Sequence, residues 1–473
     1  MNQLIPTTAI DQNDEPVVDA TRHNAAVRLV KGKFQLLRRL TGTPLILLFL
    51  LAPWLTINGA PVLWMDLDHH VLHLFGLVFW PKDLLMLSWV AMASAFALFI
   101  AANLAGRIWC GFSCPQTVWS MMFTWVEEKT QGSRNKRLKQ LDKPWYRRNW
   151  VPLILKHSIW LTLSFITGFT FVAYFETGQG LWQQITSVSL NHEVAFWLGF
   201  FSLLTYINAG WLREQVCLHM CPYARFQSVM VDKKTLKVSY DKTRGEPRKL
   251  KRALKLSNTQ PAQNATKQGD CIDCQLCVQV CPVGIDIRQG LQYACIDCGA
   301  CIDACDTIMQ SIQKPKGLIK FSDEQPHEST HGFQWSEWSF AARPRLWGYF
   351  AAFVIASLLF TLQVAFKEPY SVHLSRDRGS LYFYEELNVS NAFTLSVQNK
   401  TQLDSPFSIT ITDPNLFVAH APNLNVLAGQ KISWTLTIAC IHECPISGKR
   451  PFTLDVSSGD FKATLNGIFF APR

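Results

Sequence analysis

Charge is scarce in this sequence: Asp, Glu, Lys and Arg make up 17% of 473 residues against 48% hydrophobic ones, and none falls between Leu84 and Ala105. A purely soluble chain carries more charge, and an uncharged run of that length is long enough to cross a bilayer. Lys and Arg are also missing from 176–193, and between the first two apolar runs only Lys82 is basic. The first 39 residues are polar and no small-residue cleavage site follows the first apolar run, so no cleavable signal peptide is expected. No second histidine matches the depth of His157, which argues against haem. Cysteine is absent before Cys110, and twelve of the 14 lie between Cys110 and Cys305 in close sets. In a reducing compartment such sets read as metal ligands, because disulfides rarely persist there.

What is present fits a membrane protein with soluble parts. The 17 Trp and 31 Phe match buried cores and membrane interfaces, while the mean hydropathy of +0.08 requires polar domains in the same chain. Five stretches can span, at about 40–57, 84–105, 158–175, 194–212 and 346–366. The N-terminal segment holds Arg22, Arg28, Lys31, Lys33, Arg38 and Arg39, and the loop after the second stretch holds eight Lys and Arg from Lys129 to Arg148. Basic loops resist translocation, so the N-terminus and residues 213–345 are expected inside and the last hundred residues outside. The net charge of +10 lies beside apolar segments and is explained by topology, with no nucleic-acid partner. Arg213, Arg225, Lys233 and Lys234 fit the same explanation. The first thirty residues are expected to be disordered.

The tail alternates with period two: Phe393, Leu395, Val397; Phe407, Ile409, Ile411; Ile432, Trp434, Leu436, Ile438; Phe452, Leu454, Val456. With turn formers such as Asp413-Pro414-Asn415 and Gly459-Asp460 between them, these runs predict a β-sandwich.

The strongest motif is Cys271-x2-Cys274-x2-Cys277-x3-Cys281-Pro282, repeated as Cys295-x2-Cys298-x2-Cys301-x3-Cys305. In two-cluster ferredoxins the fourth cysteine of each run ligates the other cluster. On that pattern Cys271, Cys274, Cys277 and Cys305 hold one 4Fe-4S cluster and Cys295, Cys298, Cys301 and Cys281 the second. Paired zinc sites are the competing reading, which the tandem repeat disfavours. Asp306 stands where proline is usual and puts the turn after the second run in question.

Two C-x3-C-P motifs, Cys110 to Cys114 and Cys217 to Cys221, follow the inner ends of the second and fourth apolar stretches. At i and i+4 of a helix, four thiols could converge as a third metal site, either an iron–sulfur cluster or a copper(I) thiolate site. Buried cysteines acting as small hydrophobes are the alternative. In the tail, Cys440 is expected on the inward face of its strand. Cys440 and Cys444 read as a local disulfide or buried thiol, and with His442 as a copper site. His69, His70 and His73 in the first exported loop could touch copper, although solvated histidines are commoner.

WCGFSCPQTVW (109–119), CLHMCPYARFQ (217–227), CIDCQLCVQVCPVGIDIRQGLQYACIDCGACIDACD (271–306), the five spans and the β-rich tail together resemble the cytochrome c oxidase accessory family known as CcoG, FixG or RdxA. The fold expected is a polytopic α-helical membrane protein of five spans, with a cytoplasmic two-cluster ferredoxin-like insert and a C-terminal immunoglobulin-like β-sandwich. The boundaries read are a cytoplasmic segment 1–39, a four-span region 40–229, the 4Fe-4S insert 230–340, a fifth helix 341–367 and a periplasmic domain 368–473.

The resemblance implies residence in the bacterial inner membrane and a part in assembling a cbb-type haem-copper oxidase, by reducing Cu(II) to Cu(I) for delivery. Copper ions, oxidase assembly factors or a copper transporter, and an unidentified electron donor are the partners it implies. An electron-transfer protein is the minimum reading and a cupric reductase the sharper one. A relay subunit like the NapH-type quinol dehydrogenases and a non-redox scaffold are the alternatives. Electron relay through thiolates needs no acid or base, so no catalytic side chain is assigned.

Overall fold

The protein is described here from a computed structural model, which covers residues 27–57, 60–68, 70–232, 234–248, 269–323, 343–377, 379–385, 388–401, 403–420, 425–440 and 448–472. Most of the N-terminal segment expected to be disordered lies outside these residues, as do His69, Lys233, His442 and Cys444.

In chain order the helices used below are α1 (Lys33–Leu51), α2 (Leu84–Ala105), α3 (Ile108–Phe112), α4 (Pro115–Gln131), α5 (Trp150–Glu176), α6 (His192–Thr205), α7 (Pro222–Met230), α8 (Leu276–Gln279), α9 (Ala300–Ser311) and α10 (Pro344–Ala365). A wider π-type turn, Tyr206–Leu212, prolongs α6. Among the described residues five segments are long and apolar enough to cross a membrane: Lys33–Trp54, Leu85–Ala105, Trp150–Glu176, His192–Leu212 and Pro344–Ala365.

Two of them begin earlier than hydropathy alone indicates, and in each case a polar partner explains the extension. At the start of α1 the Asp303 carboxylate accepts the Phe34 and Gln35 N–H groups at 3.2 and 2.8 Å, answering donors that a helix start leaves without partners. In α5 the charged Lys156 is tolerated because its Nζ lies 3.5 Å from Glu127 and 4.4 Å from the Trp160 ring centroid. Glu127 also meets Arg137 at 3.1 Å and Arg213 at 3.0 Å, all deeply buried. Removing one partner of a buried ion pair typically costs about 3–5 kcal/mol, and here one carboxylate answers three cations. Against α6, α5 presents Gly168, where a Cβ would stand 2.9 Å from the Ser202 nitrogen, so the two backbones approach closely.

The chain divides into two compact units. The first holds residues 1–51, 91–173 and 181–356, and includes the cysteine-rich insert. Strands Lys237–Tyr240 and Ile319–Ser322 pair antiparallel, Val238 opposite Phe321, and close the insert around α8 and α9. Its core is Val238, Ile287, Ile302, Met309, Leu318 and Ile319.

The second unit holds residues 52–90, 174–180 and 357–473. A meander of Leu63–Asp66, Val71–Leu74 and Leu77–Phe79 belongs to it. Among the described residues the tail forms two larger antiparallel sheets and a short pair of Ser405–Pro406 with Asn425–Val426. One orders Leu416–His420, Lys431–Cys440, Asn388–Asn399 and Tyr370–Arg376, and the other orders Ser408–Ile411, Gly448–Ser458 and Phe461–Ala471. The period-two residues face each other in one core, with Leu395, Val397, Leu436, Ile438, Leu454 and Val456 fully buried. Phe393 meets Phe452 edge-on at 5.3 Å across that core.

Asp83, just before α2, pairs with Lys367 at 3.1 Å and Lys400 at 3.6 Å within this unit. Burial favours the neutral Asp83 carboxyl, but the Trp80 N–H and the Lys367 ammonium outweigh it and hold the group below its usual range. A lowered folded value stabilises the protein above the unfolded value of about 4, and that contribution disappears as pH falls through the folded value. Asp83→Asn should therefore melt below the parent at pH 7 in detergent, and the gap should close as the pH falls below the unfolded value of about 4 and through the folded one.

Candidate metal centres

The insert is built from a repeat that extends beyond its cysteines. Cys-Ile-Asp-Cys occurs at 271–274 and at 295–298. In both copies the aspartate has positive φ, 48° for Asp273 and 50° for Asp297, and so do the residues that precede the helices, Gln275 at 56° and Gly299 at 71°. These left-handed positions curl each loop so that successive cysteines turn inward. Asp273 takes a hydrogen bond from Arg288 at 2.5 Å, while Asp297 accepts from the backbone of Arg107 at 3.0 Å and of Val238 at 3.1 Å.

Two enclosed pockets result. Cys271, Cys274, Cys277 and Cys305 line one, together with Tyr240, Leu276, Ile308 and Leu318. Cys281, Cys295, Cys298 and Cys301 line the other, with Cys277 at its edge. Each pocket thus gathers three cysteines of one run and the last of the other. Among the described residues no three His, Cys, Asp or Glu side chains, in these pockets or elsewhere, close tightly enough to hold a single metal ion.

Asp306 has a structural reason. After the first run Pro282 follows the short α8, whereas α9 continues past Cys305 to Ser311. Proline at 306 would lack the N–H and crowd the preceding turn of that helix. Asp306 instead accepts the Gly317 N–H at 3.0 Å.

The C-x3-C-P motifs do not lie on continuous helices, which corrects the expectation of an i, i+4 face. Cys110 lies in α3, but Cys114 is extended (φ −62°, ψ 128°) and precedes Pro115, the first residue of α4. Cys217 lies in a π-type turn, and Cys221 is likewise extended (φ −75°, ψ 113°) before Pro222 of α7. Proline restricts the residue before it to extended geometry and suits a helix start, so each motif carries a break between its thiols. The four cysteines nevertheless lie within electrostatic reach of one another, without closing on a single-ion site. Cys110 feels the charges of Cys114, Cys217 and Cys221, and Cys217 those of Cys114 and Cys221.

This third group packs against the second pocket, Cys110 sharing a buried cluster with Ile296, Cys298, Ala300 and Cys301. A Cβ on Gly111 would lie 2.7 Å from the Ile296 oxygen and 2.9 Å from the Cys298 Cα, so only glycine allows the contact. Arg107, Tyr223 and Gln227 surround the group. Gln227 Oε1 lies 3.4 Å from the Cys110 Sγ and its Nε2 donates to the Gly106 oxygen at 2.7 Å. Sequence reasoning missed these residues and Asp297, although the repeated Cys-Ile-Asp-Cys could have pointed to Asp297.

Burial pushes the Cys110, Cys217, Cys281 and Cys305 thiols up to about 12 and Cys277 to about 11. Four thiolates in one such pocket are costly unless positive iron offsets their charge, so cluster assembly here releases protons.

The remaining candidates lie elsewhere. Cys440 is fully buried in the sandwich core and disulfide-bonded. A disulfide sulfur offers no thiolate to copper. His73 stacks on Trp64 at 4.9 Å, and His157 shares a 2.8 Å hydrogen bond with the Tyr206 hydroxyl, a packing role.

A family model described as a 4Fe-4S dicluster domain matches residues 212–324, and one described as a 4Fe-4S binding domain matches 85–133, the stretch containing Cys110 and Cys114. A third, described as the IG-like fold at the C-terminal of FixG, matches 360–472. With the five apolar helices, these define a membrane iron–sulfur electron carrier holding two 4Fe-4S clusters and an immunoglobulin-like tail. Protein RdxB of Cereibacter sphaeroides is 32% identical over 403 residues, covering 83% of each chain. Protein RdxA of that organism is 33% identical over 77% of each, and the nitrogen fixation protein FixG of Rhizobium meliloti is 29% identical over 80% of this chain and 78% of its own. The chain belongs to the FixG/RdxA family.

Gly111→Val should loosen the insert from the helix ends. Limited proteolysis in detergent is expected to cut within 230–340 several-fold faster than in the parent. Gly199→Val, where nothing lies within 4 Å of the added carbon, should leave the pattern unchanged.

Proposed function

We propose that this protein serves the assembly of a cbb-type haem-copper oxidase as a cupric reductase of the bacterial inner membrane. In this reading one cluster is held by Cys271, Cys274, Cys277 and Cys305, and the second by Cys281, Cys295, Cys298 and Cys301. The two clusters would exchange electrons with each other and with a thiolate centre held by Cys110, Cys114, Cys217 and Cys221. The observation that supports the reading is the buried cluster shared by Cys110 and Cys298, with Cys301 at its edge, because electron-transfer rate falls steeply with the distance between centres. One-electron exchange is the chemistry the clusters supply. The chain's own residues hold the thiolates, exclude water with Ile296, Ala300 and Ala304, and fix the loops through Asp297 and Asp303.

At the thiolate centre, one electron reduces one Cu(II) to Cu(I), the ion that soft thiolates hold best. The basic loops support a cytoplasmic N-terminus and insert and a periplasmic tail. Copper transporters or oxidase assembly factors would receive the Cu(I). The domain boundaries proposed are 1–39, 40–229, 230–340, 341–367 and 368–473.

Anaerobic preparations should contain about eight iron per chain and show EPR signals of two interacting clusters after dithionite. Cys271→Ala and Cys305→Ala should lose the same cluster signal, and Cys281→Ala the other. Reduced parent should convert Cu(II) to Cu(I), read with a Cu(I)-specific chelator, and Cys110→Ser with Cys217→Ser should slow this at least about ten-fold. Reducible clusters that leave Cu(II) untouched would overturn the reductase reading, and zinc in place of iron would overturn the cluster assignment as well.

A further inference from the structure

Beside the third cysteine group lies a cavity of about 410 Å³ in the membrane-spanning region. Leu45 and Phe49 of α1, Thr167 of α5, and Phe201, Leu204 and Thr205 of α6 form its walls at the depth of three spans. Leu45 and Leu204 are exposed on the apolar outer surface, so the cavity opens toward lipid. Trp109 and Trp119 line it as aromatic plates, Trp119 held by its N–H to Thr167 Oγ1 at 3.1 Å. At its inner end are Ser113 and Pro115, the two neighbours of Cys114.

Its polar groups are unusual for lipid-facing space. Gln116 spends its amide N–H groups on the Asn208 and Arg213 carbonyls, both at 2.9 Å, and its Oε1 accepts nothing among the described residues. The Asn208 carboxamide and the Ser113 hydroxyl line the same cavity and likewise meet no described side chain or backbone group. An unsatisfied amide in an apolar setting is costly, and a plain acyl chain would satisfy none of these groups. The volume lies in the range of small-ligand sites. A flat ring with hydrogen-bonding oxygens and an apolar tail matches the aromatic walls, the polar end and the lipid opening together.

We propose that this cavity binds the head group of a lipid-soluble quinone or quinol and exchanges electrons with the centre at Cys114. This rests on the reading of the chain as an electron carrier and supplies its donor from the membrane. Oxidation of one quinol yields the quinone, two protons that leave to solvent and two electrons, one for each 4Fe-4S cluster.

The test is photolabelling of the full-length protein in detergent with a short-chain azidoquinone, mapped by peptide mass spectrometry. Iron content and Cu(II) reduction by the dithionite-reduced protein are measured on the same samples. Saturable labelling within 109–119 and 201–209, competed by unlabelled quinone, is expected. Asn208→Leu, which removes the amide, and Leu45→Trp, which fills the opening, should each reduce labelling about ten-fold with iron content retained. Labelling elsewhere, labelling unaffected by both variants, or competition by phospholipid as strong as by quinone would overturn the proposal. If labelling fails while reduced protein still converts Cu(II), only the quinone site falls. If Cu(II) reduction fails while labelling holds, only the cupric reading falls.

Discussion

The approach of Gly111 to the Ile296–Cys298 backbone governs the rest of the first unit. A side chain there would overlap the loop carrying Cys295 and Cys298, so the motif following α2 can touch the insert only through bare backbone. Around that contact the insert is fastened at two further points. Asp297 accepts backbone donors from Arg107 and Val238, and Asp303 accepts those of Phe34 and Gln35. Buried carboxylates that accept backbone N–H groups are directional and hard to replace, so they set position as well as affinity. They tie a small cluster-binding insert to helices whose own sequences are almost wholly apolar.

Proline shapes the group of Cys110, Cys114, Cys217 and Cys221. Because Pro115 and Pro222 force Cys114 and Cys221 into extended geometry, each motif bends between its thiols. A straight helix would place its two cysteines on one line. The break lets pairs from separate parts of the chain converge, with Arg107 nearby to offset negative charge. The same residue type explains the asymmetry of the insert: Pro282 follows one cysteine run, while Asp306 allows α9 to continue past the other.

Much of this was legible in the sequence because the signals are periodic or covalently spaced. The uncharged run from Leu84 to Ala105, the alternation from Phe393 to Val397 and the doubled cysteine runs each name an element by its own pattern. The start of α1 was not legible, since Asp303 lies 269 residues from Phe34 and no local pattern announces it. That Lys156 lies within the helix of the third span is not legible either, because its partner Glu127 belongs to another helix. Helical geometry was wrongly extended across Cys114 and Cys221, although the prolines after them were visible. The Gln116 and Asn208 carboxamides carry no signal until α4 and α6 are brought together.

The central claim is that the two cysteine runs exchange their last ligands and set the second cluster against the Cys110 group. An electron cryomicroscopy map of the anaerobically purified protein tests it most directly. The account predicts one cluster bound by Cys271, Cys274, Cys277 and Cys305, and another by Cys281, Cys295, Cys298 and Cys301 beside Cys110. Density joining Cys271, Cys274, Cys277 and Cys281 to a single cluster, or a solvent gap between Cys298 and Cys110, would contradict it.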